Sequence, residues 1–193
     1  MRGAALALAA LGALAMADST VAPGSYCPLP EGDEPPACLQ PAAQDYEGFF
    51  TGLRAGRVDD AAVAEVERDL AGERRYEALS SIVYAYYVLS RRAAAGAPAD
   101  PALAARLERW NAMMGDTYRA SDDRRFRDAM HRAAGDLRSR APALPVRCGG
   151  ARAGAAECSS TEAFAAALTD ARDRTGLRGA LGRVLDRLTG GPD

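Results

Sequence analysis

The stretch Tyr76-Glu77-Ala78-Leu79-Ser80-Ser81-Ile82-Val83-Tyr84-Ala85-Tyr86-Tyr87-Val88-Leu89 decides the fold. Wound as a helix, it is apolar or aromatic around most of its circumference. A helix of that kind belongs at the centre of a molecule, covered by other helices. Its predicted limits are about Glu73 and Ala95.

The flanking sequence supplies the covering helices. Upstream, Tyr46, Phe49, Phe50 and Leu53 recur at helical spacing after Pro41, and Gly56 ends the run. Asp59 or Asp60 can cap a second helix with the stripe Val63, Val66 and Leu70, stopped by Gly72. Downstream, Asp100-Pro101 reads as a capping carboxylate before a first-turn proline. The helix it starts carries Leu103, Leu107, Trp110, Met114 and Tyr118. A fifth helix opens at Ser121, with Phe126, Met130, Ala133 and Leu137 inside, and stops before Pro142. Ser159 with Glu162 forms a capping-box pattern for a sixth, carrying Phe164 and Leu168. After Gly176 a short last helix holds Leu177, Leu181, Val184, Leu185 and Leu188. No strand alternation is visible. The prediction is an all-α single-domain bundle, or a stack of antiparallel helical hairpins, of about six or seven helices.

The N-terminus has a different character. One positive charge, Arg2, precedes an Ala/Leu/Gly run from Ala4 to Ala15, too short for the ~20 apolar residues a membrane span requires. With Ala15-Met16-Ala17 it matches a secretory signal peptide cleaved before Asp18. Residues 18–41 are then a Pro-rich segment holding Cys27 and Cys38. Residues 42–190 form the helical domain, interrupted by a Gly-rich cysteine loop at 142–159 with Cys148 and Cys158. Neither cysteine pair has redox or zinc spacing, so structural disulfides are expected, with the local pairing Cys27–Cys38 and Cys148–Cys158 favoured over crossed pairings. The expected localisation is periplasmic or secreted, with no stable membrane anchor.

The charge balance is near neutral, net −2 for the whole chain, which argues against a nucleic-acid binder. All 24 basic residues are arginine, which reads as the coding bias of a GC-rich genome. The absence of lysine excludes Schiff-base and P-loop chemistry. No cofactor or metal motif is present, so none is expected.

Candidate chemistry is sparse. Tyr84, Tyr87, Trp110, Asn111 (the single asparagine) and Tyr118 would line a semi-polar aromatic pocket if the third and fourth helices packed as a hairpin. Asp128 and His131 share a helical face, and with Ser80 or Ser81 would suggest a hydrolase triad, though no nucleophile elbow exists. Glu77 is an acid amid apolar neighbours, but it lies in a first turn that favours negative charge. The runs Asp122-Asp123, Arg124-Arg125 and Arg91-Arg92 read as solvated helix-end charges. Arg178, Arg183 and Arg187 opposite the leucines of the last helix resemble a membrane-surface pattern, but Asp186 and the short length favour docking on the protein. Two functions follow as expectations. One is an exported soluble binding or interaction module without catalysis, engaging a protein or small molecule in the cell envelope. The other is an exported hydrolase acting on an envelope or extracellular substrate through His131, Asp128 or Glu77.

Overall fold

The computed structural model describes residues 25–32, 34–97, 102–147 and 157–176, and within them the chain is predominantly helical. The apolar stretch forms α4, Arg75–Ala94, whose residues from Ala78 to Ser90 are all buried. Four further helices close around it in chain order: α1 (Gln40–Asp45), α2 (Glu47–Arg54), α3 (Asp60–Asp69) and, after α5 (Leu103–Ala120), α6 (Arg124–Arg140). α7 (Ser160–Thr175) completes the described helices.

Several predicted boundaries move for local reasons. The first predicted helix is two, broken at Tyr46 (φ −109°, ψ 46°). Tyr46 is drawn out of helical geometry toward the core, where its hydroxyl donates to Asp69 at 2.7 Å and Arg74 lies 4.7 Å from its ring centroid. Asp59 does cap α3, accepting from the Ala61 N–H at 2.7 Å, and Ser159 caps α7 by accepting from the Glu162 N–H at 3.2 Å. α5, by contrast, starts after Ala102 with no side-chain cap, and Asp100-Pro101 lies outside the described residues. α6 begins at Arg124 instead of Ser121, because Asp123 is its cap and Ser121 accepts the Asp123 N–H. Gly56 and Gly96 terminate α2 and α4 at φ +78° and +75°, the left-handed conformation that a side chain disfavours.

Consecutive helices do not all pair as antiparallel hairpins. α4 and α5 touch little; α5 packs chiefly on α7, and α4 lies against α6. α4 and α6 run in the same direction. At their N-termini Tyr76 meets Phe126 edge-on at 5.2 Å, and at their C-termini Tyr87 and Arg91 share a surface hollow with Ser139 and Arg140. The α5–α7 crossing is close at Gly115, where a Cβ would sit 3.3 Å from the Ala167 carbonyl oxygen. α5 is tied to α3 by buried Arg106, which donates to the Val58 carbonyl at 3.2 Å and to Asp60 at 3.1 Å.

The cysteine segments acquire more order than their composition suggested. Cys27 and Cys38 form a disulfide with Cα atoms 5.8 Å apart. The segment between them straps across α4 and α6. Ser80 accepts the Cys27 N–H at 3.0 Å, Tyr26 and the Leu29 N–H donate to Asp136, and Arg140 donates to the Leu29 carbonyl at 2.6 Å. Residues 145–147 and 157–159, expected to be irregular, form a short antiparallel pair, β1 (Pro145–Arg147) and β2 (Glu157–Ser159), with Val146 opposite Cys158. Burial of Val146 against the helices accounts for the pairing. Cys148, the predicted leader and the predicted last helix lie outside the described residues. No helix among those described is long and apolar enough to cross a membrane.

Candidate functional site

The five aromatic and amide residues singled out from the sequence are distributed among three sectors of the core. Tyr84 faces α2 and stacks on Phe50 with centroids 6.1 Å apart. Tyr87 turns toward the strap, where its hydroxyl donates to the Gly32 carbonyl at 3.3 Å and accepts from Arg91. Trp110, fully buried, donates its indole N–H to Glu67 of α3 at 2.8 Å. Asn111 lies beside Trp110 in the chain and meets the hydroxyl of Tyr86 at 3.3 Å. That hydroxyl has one proton, and the Ser160 carbonyl takes it at 2.7 Å; burial pushes the phenol up to about 12. Tyr118 stands at the far end of α5 against His131, ring centroids 5.2 Å apart. Trp110 and Tyr87 thus find partners across helix and strap contacts, whereas the buried Nδ2 of Asn111 has none among the described residues.

The triad suggested by the sequence is not assembled among the described residues. His131 is exposed, and its Nε2 lies 3.2 Å from the Tyr118 hydroxyl instead of near a serine. Partial desolvation, aided by Arg172, lowers its pKa, while Asp128 opposes the shift. Ser80 donates to the Tyr76 carbonyl and accepts from Cys27, and Ser81 is wholly buried. Glu77 is half-buried near the start of α4. No group of three potential metal ligands occurs among the described residues.

A cavity opens instead where helices end. A cleft of about 580 Å³ lies between the α3–α4 connection, which contributes Leu70, Ala71 and Arg75, and the α5–α6 elbow, which contributes Asp116, Thr117 and Ala120 through Asp123 and Phe126. Its volume falls within the ~300–1,000 Å³ of small-molecule sites. Phe126 supplies an apolar wall, and the Arg75 guanidinium stands 5.4 Å from its centroid. Arg75 also pairs with Asp123 at 2.8 Å, and Tyr76 donates to the same carboxylate at 3.3 Å. Burial opposes ionisation of Asp123, but the N–H groups of Phe126 and Arg125, with Arg75, outweigh it and hold the carboxyl below its ordinary range. Burial and the adjacent Asp123 push the Tyr76 phenol up. The result is a fixed ion pair beside an aromatic ring, with Thr117 and Ser121 as neutral polar groups and Asp122 exposed at the mouth. This arrangement can orient a ligand that has both polar and apolar parts. It offers no nucleophile activated by a base.

The sequence reading passed over these residues because Asp122-Asp123 and Arg124-Arg125 look like ordinary helix-end charges. The one local clue was the helix break at Ser121. No family model, curated protein or solved structure matches the chain.

Proposed function

We propose that the protein is a non-catalytic binding module that works outside the cytoplasm and holds a small, partly polar ligand in the cleft at the α3–α4 and α5–α6 elbows. The observation that carries this reading is the cleft itself: a cavity of ligand size with an aromatic wall and a preformed Arg75–Asp123 pair. Support for this compartment comes from the leader pattern at Met1–Ala17 and from the Cys27–Cys38 bridge, a bond that persists in oxidising surroundings. The aromatic groups of α4 and α5 serve this module as its rigid core; they do not touch the ligand.

The test is a fragment screen by amide NMR on the full mature chain, paired with native mass spectrometry of protein taken from the export compartment. Binding should shift the amides of Thr117, Ser121 and Asp123. Ala120→Phe, at an exposed position on the cleft wall, should abolish both the shifts and any co-purified adduct without lowering the melting temperature. Binding that survives Ala120→Phe, or shifts confined to other surfaces, would overturn the proposal.

A further inference from the structure

A second cavity lies toward the other end of α4 and is chemically unlike the first. It measures about 210 Å³ and is walled by Phe50, Leu53, Tyr84 and Val88, with Pro35 of the strap closing one side. Phe50 and Tyr84 are stacked and buried, so the floor is rigid and apolar. The rim is cationic. Arg54 and Arg92 both line the pocket and both are exposed.

Among the described residues neither arginine has a carboxylate partner. Arg54 donates to the Thr51 hydroxyl at 3.2 Å, and Arg92 donates to the Arg54 carbonyl at 3.3 Å. Each guanidinium has five N–H donors in a planar fork, so most remain open to water. Two guanidinium groups that meet no carboxylate among the described residues, at the mouth of an apolar hollow, call for an anion with an apolar body, and the fork geometry matches a carboxylate. The size of the hollow restricts that body. It equals the liquid volume of roughly seven waters and is smaller than the ~300–1,000 Å³ of drug-sized sites.

We propose that this pocket is a second binding site, selective for a small organic carboxylate whose compact aromatic or branched aliphatic tail sits on Phe50 and Tyr84 while its carboxylate meets Arg54 and Arg92. The site is separate from the helix-end cleft and does not depend on it.

3-Phenylpropionate and its uncharged amide serve as probes, titrated into the full mature chain while the methyl resonances of Leu53 and Val88 are followed. The acid is expected to produce saturable shifts at both methyls and to bind about tenfold or more tighter than the amide, the factor carried by charge-assisted hydrogen bonds. Arg54→Gln with Arg92→Gln, at exposed positions, should bring the acid down to the affinity of the amide. Val88→Phe should fill the hollow and remove binding of both. If Val88→Phe lowers the melting temperature, the arginine pair alone decides. Equal affinity of acid and amide for the wild type would overturn the proposal. So would retention of the acid preference in the double arginine variant, or the absence of shifts at Leu53 and Val88 up to the solubility limit of the acid.

Discussion

Replacing Cys27 and Cys38 together by alanine removes the bridge that closes the strap, and the size of the effect can be worked out beforehand. The cysteines are 11 residues apart. A loop of that length loses about 9 cal/mol/K of unfolded-chain entropy when cross-linked, or ~2.8 kcal/mol at 25 °C. For a chain of this size each kcal/mol moves the melting temperature by ~2–4 °C, so the variant should melt ~6–11 °C lower. The native side of the balance changes little, because the strap has other anchors. Tyr26 and the Leu29 N–H bond to Asp136, Arg140 holds the Leu29 carbonyl, and Ser80 accepts the Cys27 N–H whether or not the sulfur is present. Alanine is preferred to serine because Cys27 is buried, and a hydroxyl there would add a desolvation cost of its own. Two mutations, instead of a reducing agent, also leave Cys148 and Cys158 untouched. Calorimetry gives the melting temperature, and near-UV circular dichroism reports whether the tyrosines under the strap keep their packing. A shift below about 2 °C, with the wild-type bridge verified by mass, would refute the entropic reasoning. Loss of the near-UV signal at low temperature would instead refute the claim that the hydrogen bonds hold the strap unaided.

Three other outcomes are expected. Glu67→Ala strands the buried Trp110 N–H without its acceptor and should cost ~1–3 kcal/mol in urea unfolding; Glu67→Gln keeps an acceptor oxygen and should recover most of the loss, and equal effects of the two would remove Trp110 from the argument. Gly52→Ala places a Cβ 2.6 Å from the Arg57 carbonyl oxygen, so the α2–α3 turn must shift at a cost of ~1–3 kcal/mol; a melting curve superimposable on wild type would contradict that close approach. His131 has a lowered pKa in the fold, so as pH falls through about 6.5 the unfolded chain takes up the proton first and stability declines until the lower folded value is passed. His131→Gln should therefore lose less stability than wild type between pH ~7 and ~5, and parallel pH profiles would show that burial at Tyr118 does not shift the ring.

Helices were legible because their signal is local. The stripe Val63, Val66 and Leu70, the all-round apolarity of Ile82 to Leu89, and the caps at Asp59 and Ser159 each depend on neighbours within about a turn. Partnership between helices was not legible, since it depends on shape. α5 chooses α7 because Gly115 lets the Ala167 backbone approach, and a glycine inside a helical pattern does not announce which helix will use the gap. The pairing of residues 145–147 with 157–159 was missed for a related reason: three residues are too few to show alternation, and only contact with the helices makes Val146 worth burying.

None of the five candidate residues lines the helix-end cleft, although Tyr84 walls the smaller cavity and Tyr87 borders the hollow at Ser139 and Arg140, and the reason is rooted in the same physics. Searching an apolar helix for its rare polar groups selects those that the core has to satisfy: Glu67 takes the Trp110 indole N–H and the Gly32 carbonyl takes the Tyr87 hydroxyl, although the buried Asn111 Nδ2 finds no partner among the described residues. A group already paired inside the core has little left to offer a ligand. Cavities form instead where packing is interrupted, and in a helical protein that means helix ends and the seams beneath crossing segments. Residues at helix ends are charged for local reasons, capping and dipole compensation, so their sequence pattern is indistinguishable from that of any solvated terminus. Arg75 and Asp123 illustrate the point: 48 residues separate them, each reads as an ordinary end-of-helix charge, and only the parallel course of α4 and α6 brings them to 2.8 Å across the wall of a cleft.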